Sequence, residues 1–253
     1  DKLRVGVVGI GHLGNYHLQK YRLIDSCRLV GVADILAERA QKAAQQYGCE
    51  AFPDYRNMIG RVDAVSIAVP TGEHFRVAAD FLEAGIDVLI EKPICATTAE
   101  ADKLIALARK NKLILQVGFV ERFNPAVMAL EKLLTRPLFI EVHRLHPFFE
   151  RGTDVDVVLD LMIHDLDIIL KLVRADIRSL EAVGVPVLSE KIDIANVRMA
   201  FAGGCIANVT ASRISAKTMQ KIRIFSPEGY HSVDYRKREI ISLSKKINED
   251  GKY

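Results

Sequence analysis

The sequence predicts a doubly wound parallel α/β sheet followed by an α+β unit with an open, mainly antiparallel sheet. Three observations predict it. Strand and helix patterns alternate through the first 120 residues. A glycine-rich turn, Gly9-Ile10-Gly11-His12-Leu13-Gly14, joins the first strand to the first helix. From Ile177 onward the pattern is nearly all strand with short turns, which is how an antiparallel sheet reads. A boundary near residue 120 therefore divides the chain into residues 1–120 and 121–253.

The first strand is the apolar run Leu3 to Val8. Gly9, Gly11 and Gly14 then form G-x-G-x-x-G where a helix begins. Gly9 permits a tight turn, Gly11 lets backbone approach a pyrophosphate, and Gly14 lets helix and strand pack closely. The helix N-terminus presents N–H donors and a partial positive charge to phosphates. A second strand, Arg28 to Ala33, ends at Asp34, twenty positions after Gly14. Strand, glycines, helix, strand and acid in this order are the context that confirms a dinucleotide-binding Rossmann unit. Asp34 is placed to accept hydrogen bonds from ribose hydroxyls. Its carboxylate would repel a 2′-phosphate, and Ile35 and Leu36 follow where NADP would call for an arginine, so the expected cofactor is NAD. Arg39 is close by in sequence and leaves NADP open.

The remaining elements follow in order. A helix is expected from Leu36 to Tyr47, then strands at Cys49 to Phe52 and Asp63 to Pro70. Glu73 to Ala84 reads as a helix ended by Gly85, and Ile86 to Ile90 as a strand. Thr97 or Thr98 caps a helix that carries Glu100 in its first turn and runs to Asn111. Leu113 to Val117 is the sixth strand. In the second half Pro137 to Pro147 is strand-like, and 154–173 is one apolar-periodic helix with Asp154 as its N-cap. Strands follow at Asp193 to Phe201, Cys205 to Arg213, Lys221 to Phe225, Tyr230 to Tyr235 and Glu239 to Leu243. Gly203-Gly204 and Pro227-Glu228-Gly229 mark turns between them. The polar stretch 245–253 is either a frayed end or numbering that runs across missing residues.

The 253 residues are 49% hydrophobic and 26% charged, the balance of an ordinary globular chain. A net charge of +3 with no basic block gives no support for binding nucleic acid or a membrane surface. No apolar run reaches the length of a membrane span, and no signal-peptide pattern opens the chain. Asp1 stands where a Met would, so a few leading residues are expected to be missing. Cys27, Cys49, Cys95 and Cys205 lack C-x-x-C spacing and read as reduced, buried thiols, which places the protein in the cytoplasm.

Ligands of an open α/β sheet bind outside the carboxyl ends of its strands. Those ends here carry Pro70-Thr71-Gly72-Glu73-His74, Glu91-Lys92-Pro93 and Gly118-Phe119-Val120-Glu121-Arg122. The cofactor-binding set is therefore read as Gly9 to Gly14, Asp34, Pro70, Thr71, His74, Glu91, Lys92 and Arg122. Lys92 ends a buried strand and has no helix face to lie on; it is either catalytic or a lysine that salt-bridges Glu91 or reaches solvent. His164 follows Asp160 by four residues, which puts both on one helix face, and Asp156 and Asp167 fall near the same stripe. A hydride-transfer dehydrogenase needs a base of near-neutral pKa, a need His164 oriented by Asp160 would meet; a surface or capping histidine is the alternative. Three ligands at metal-like spacing are not evident, so no metal is expected.

Taken together, Gly9-x-Gly11-x-x-Gly14, Glu91-Lys92-Pro93 and Asp160-x-x-x-His164 resemble the three signatures of the Gfo/Idh/MocA oxidoreductases. The stretches from Gly118 to Val127 and from His143 to Pro147, and Asp160 to Asp167, are similar to the family's nucleotide-sugar branch. The resemblance implies an NAD-dependent dehydrogenase that oxidises a sugar hydroxyl to a ketone, at C3 of a UDP-N-acetylhexosamine, ahead of amination for lipid A or another surface glycan. It implies that the sugar lies between the two domains, that His164 takes the hydroxyl proton, and that Lys92 hydrogen-bonds the reacting oxygen. Asp160 would hold the sugar or the histidine. Arg122, Asn124, Arg144 and Arg151 are the further substrate candidates, the arginines for the diphosphate. The chain is shorter than typical members. A free-sugar or inositol dehydrogenase of the same family is one alternative, and a catalytically silent NAD-binding regulatory module is another. The faces of 193–201 and 205–213 alternate imperfectly; one should pack on the 154–173 helix, and the resemblance implies that the other meets a second subunit in a homo-oligomer, a dimer or tetramer.

Overall fold

The structure, a computed structural model, describes residues 2–149 and 155–244. The chain folds as two compact units that divide after Gly118. The first holds strands β1 (Leu3–Val8), β2 (Cys27–Ala33), β3 (Glu50–Phe52), β4 (Ala64–Ile67), β5 (Asp87–Ile90) and β6 (Leu115–Val117). Helices α1 (His12–Tyr21), α2 (Ala37–Tyr47), α3 (Thr71–Glu83) and α4 (Thr98–Asn111) connect them. The sheet order is β3-β2-β1-β4-β5-β6 and every pairing is parallel. It is a doubly wound Rossmann sheet, with a separate apolar core on each face. Val7, Leu18, Val32 and Ala40 belong to one core; Ile67, Phe81, Ile90 and Leu104 belong to the other.

Local chemistry explains the boundaries. Thr97 caps α4 through a capping box with Glu100. Gly48 ends α2 in the left-handed region. The α3 helix starts at Thr71, two residues before the Glu73 expected from sequence, because Pro70 supplies the fixed, extended residue ahead of its first turn. The β4 strand stops at Ile67 and not at Pro70, which cannot donate to a ladder.

The second unit contains α5 (Pro125–Leu133), β7 (Phe139–Leu145), α6 (Ile163–Val173), β8 (Ile177–Val185), β9 (Ile194–Phe201), β10 (Ile206–Ser212), β11 (Met219–Ser226), β12 (Gly229–Asp234) and β13 (Glu239–Ser244). Its sheet runs β13-β12-β11-β7-β10-β9-β8 and is antiparallel except where β7 pairs with β10 in parallel. Ala195, Val197, Met199, Ala207 and Val209 form a core with Met162, Ile168 and Ile169, so the helix covers the face expected of it. The α5 helix is an element that the sequence reading does not include; Asn124 caps it and Pro125 occupies its first turn.

The helical region expected over 154–173 begins at Val157 and widens into a π turn, Val158–Met162, before continuing as α6. Asp156 caps its start: one carboxylate oxygen accepts from the N–H groups of Val158 at 3.1 Å and Leu159 at 3.2 Å. Asp154 and Arg151 lie outside the described residues, as does 245–253. Beside the start of this helix Arg213 and Asp193 form a fully buried pair at 2.8 Å. Burial presses the Asp193 carboxyl upward, but donors from Ser189, Arg213 and Val187 overrule it and hold it well below the usual carboxylate range. Among the described residues no helix is long and apolar enough to cross a membrane.

Candidate active site

In the first unit the residues expected to meet a cofactor gather at the carboxyl edge of the sheet. Gly9 has φ +87°, and a Cβ there would stand 2.6 Å from the carbonyl oxygen of Ala68. A Cβ on Gly14 would overlap the carbonyl oxygen of Gly9, so helix α1 can sit this close only with glycine. A Cβ on Gly11 would meet nothing within 4 Å, and no side chain caps α1. The first turn of α1 thus presents its N–H groups toward open space beside a residue with no side chain. This cradle fits the diphosphate of NAD.

Asp34 closes the loop from the other side. One carboxylate oxygen accepts from the Ile10 N–H at 2.7 Å and the other from the Leu36 N–H at 2.9 Å. Its side chain is 5% exposed, and Arg39 approaches to 3.5 Å. Ile10 is buried, Leu13 half-buried and His12 exposed. Pro70 is exposed and Thr71 half-buried at the start of α3.

Lys92 is half-buried in the turn after β5, and its bond to Pro93 is cis. Glu91 beside it is buried, with Oε1 2.9 Å from Nε2 of His17. His74 is buried too, and both its ring nitrogens face backbone carbonyls: Nδ1 that of Pro93 at 2.8 Å, Nε2 that of Val69 at 2.9 Å. Glu91 and His74 therefore spend their polar atoms inside the protein, which favours a supporting role over direct contact with a cofactor.

In the second unit Asp160 sits in the π turn and His164 in the first turn of α6, both half-buried. The other carboxylates of this helix have separate partners. Asp165 is fully buried against Arg144, which donates from Nε at 2.6 Å and from Nη2 at 3.0 Å. Arg144 also stacks 4.9 Å from the Tyr235 ring and reaches Glu121 at 3.5 Å. Burial works against its charge, but Asp165 outweighs that and raises its pKa. Burial likewise lifts the Tyr235 phenol well above its ordinary value. A guanidinium so enclosed is not open to a diphosphate, which corrects the expectation for Arg144. Asp167 takes a bidentate pair from Arg122, whose side chain remains 41% exposed. The Asn124 oxygen caps α5 and its amide nitrogen donates to the Tyr235 carbonyl at 2.9 Å, so this side chain also serves the fold.

The four cysteines are free thiols; burial pushes Cys49, Cys95 and Cys205 up to about 11. Among the described residues no group of three or more His, Cys, Asp or Glu side chains could hold a metal ion.

Comparison with known proteins places this arrangement. Residues 3–119 match a family described as an oxidoreductase family with an NAD-binding Rossmann fold. Residues 135–231 match the GFO/IDH/MocA C-terminal domain. The chain is 43% identical to UDP-N-acetylglucosamine 3-dehydrogenase of Acidithiobacillus ferrooxidans, over 92% of this chain and 74% of that one. A crystal form of that organism's enzyme superposes with a TM-score of 0.92 at 41% identity, covering 97% of this chain and 81% of the other. Identity to myo-inositol 2-dehydrogenase of Thermotoga maritima is 25%, over 98% of this chain and 80% of that one.

Proposed function

The chain belongs to the Gfo/Idh/MocA oxidoreductase family, and from that premise we propose that this NAD-dependent dehydrogenase oxidises the C3 hydroxyl of a UDP-N-acetylhexosamine to a ketone. The observation that carries the substrate reading is the 43% identity to a UDP-N-acetylglucosamine 3-dehydrogenase across 92% of the chain, against 25% to 33% to inositol dehydrogenases over 71% to 98% of it. NAD, when bound, supplies a hydride acceptor. The glycine loop and the first turn of α1 hold its diphosphate, and Asp34 receives its ribose.

The chain's own residues do the rest. His164 accepts the hydroxyl proton as a general base, a role for which an imidazole is suited near neutral pH. Asp160 orients the histidine or the sugar. Lys92 donates a hydrogen bond to the oxygen on which negative charge develops; such preorganised donors supply about 3 kcal/mol. Arg122, half-exposed, is the described arginine left for the diphosphate. The 3-keto product suits an aminotransferase, as in lipid A or surface-glycan assembly in the cytoplasm. We further assign the polar face of the second sheet, where Asn196, Arg198, Asn208 and Thr210 lie together, to contact with a second copy of the chain.

The test is NADH formation followed by absorbance with UDP-N-acetylglucosamine, UDP-N-acetylgalactosamine, N-acetylglucosamine and myo-inositol, with hydrazine present to trap a ketone. Reduction with a UDP-sugar and not with the free polyols is expected. Turnover of myo-inositol without turnover of either UDP-sugar would overturn the substrate reading.

A further inference from the structure

Lys92 stands between two residues that are each held by a histidine. On its amino side the buried carboxylate of Glu91 lies 2.9 Å from Nε2 of His17 on α1. Gly118, just past β6, backs the same carboxylate: a Cβ there would stand 3.1 Å from Oε2, so a larger residue would displace it. On its carboxyl side the Pro93 carbonyl lies 2.8 Å from Nδ1 of His74, a residue 1% exposed whose other ring nitrogen lies 2.9 Å from the carbonyl of Val69, just past β4. Two helices thus grip the chain immediately before and immediately after the lysine.

We propose that His17 and His74 are positioning residues that set where the Lys92 amine stands. The inference rests on the reading of Lys92 as the donor to the reacting oxygen. Its physical basis is that catalytic groups must be held to a fraction of an ångström by neighbours whose own orientations are locked, and that a misplacement of about 1 Å can cost about a hundredfold in rate. A buried polar ring is retained only where its hydrogen bonds are met; each of these rings places one nitrogen on a residue flanking Lys92, and the other nitrogen of the buried His74 is met by the Val69 carbonyl. His17 adds a second consequence. It lies three residues beyond Gly14, on the helix whose first turn faces the cofactor diphosphate. One rigid element therefore fixes both the cofactor cradle and the residue beside the lysine.

His17 is half-buried and is the better site for a test, since a change at the fully enclosed His74 threatens folding. Turnover of UDP-N-acetylglucosamine with NAD is measured for the intact chain, His17→Ala, Lys92→Met and the double variant, with NAD affinity measured by calorimetry. His17→Ala should lower kcat about tenfold or more with NAD affinity changed by less than about threefold. In the Lys92→Met background the same change should have no further effect, because its route to the reaction is gone. His17→Gln, whose amide can still donate to Glu91, should recover most of the rate. A readout independent of turnover is acylation of Lys92 by acetic anhydride, scored by mass spectrometry against the exposed Lys42. Its rate should change in His17→Ala and return in His17→Gln. Equal losses from His17→Ala in both backgrounds, or an unchanged Lys92 acylation rate, would overturn the inference. A Lys92→Met enzyme with normal turnover would instead remove the reading of Lys92 on which it rests.

Discussion

Among the described residues the first sheet is covered on both faces and the second on one. In β1, Val5, Val7 and Val8 are all buried, whichever side they point to. In β10, Ala207, Val209 and Ala211 are buried while Asn208 and Thr210 lie on the uncovered side. The difference decides where each unit can keep its chemistry. A strand buried on both faces tolerates little polarity along its length, so the polar residues of the first unit collect past the strand ends, at Asp34, Lys92 and His74. The second unit instead carries Asp160, His164, Asp165 and Asp167 along the helix that covers its sheet. Charge is buried differently as well. The first unit encloses Glu91 against a histidine and Asp34 against backbone N–H groups; the second hides two complete ion pairs, Arg144–Asp165 and Arg213–Asp193.

The largest effect is expected from breaking one of those pairs. Arg144→Met leaves Asp165 buried and uncompensated, and stability should fall by about 3–5 kcal/mol, read from denaturant midpoints. A loss below about 1 kcal/mol would mean that the second unit does not depend on its buried charge. Next come the groups read as acting on the substrate, one from each unit. Lys92→Met and His164→Ala should each lower turnover by about a hundredfold, or about 2.7 kcal/mol, with NAD binding largely intact. Loss in one variant and not in the other would place the chemistry in a single unit. The smallest effect concerns the cofactor edge. NAD should bind at least about tenfold more tightly than NADP, or about 1.4 kcal/mol, and Asp34→Ala should narrow that gap. Equal affinities in the unaltered protein would remove Asp34 from its role.

Much of the first unit is legible in the sequence because its signals are local. Strand, glycines, helix and acid fall in order within 34 residues, and Gly9 and Gly14 each have a steric reason visible in the structure, while Gly11 borders open space. The second unit is legible by pattern but not by pairing. Alternation along Ile206–Ser212 shows which side chains share a face, but no local signal shows that β10 runs parallel to β7. The expectation for Arg144 fails for the same reason. A basic residue on a strand reads as a ligand until the packing shows that Asp165 is buried against it. The start signals of α5 are present in Asn124 and Pro125, though a polar residue beside an arginine reads as readily as a ligand. His17 carries a signal that the glycine motif overshadows: a polar ring one turn beyond Gly14, on a helix that must lie close to the sheet.

The π turn at Val158–Met162 holds one residue more than a plain α-helical path would. A residue advances an α-helix by about 100°, so everything ahead of that turn, including the capping Asp156, is turned relative to an uninterrupted helix. Anyone aligning this segment to a regular helical template, or grafting it onto one, will therefore shift the capping residue by one position while leaving His164 in place. The mismatch would be silent in the sequence score and visible only as a helix entered from the wrong side.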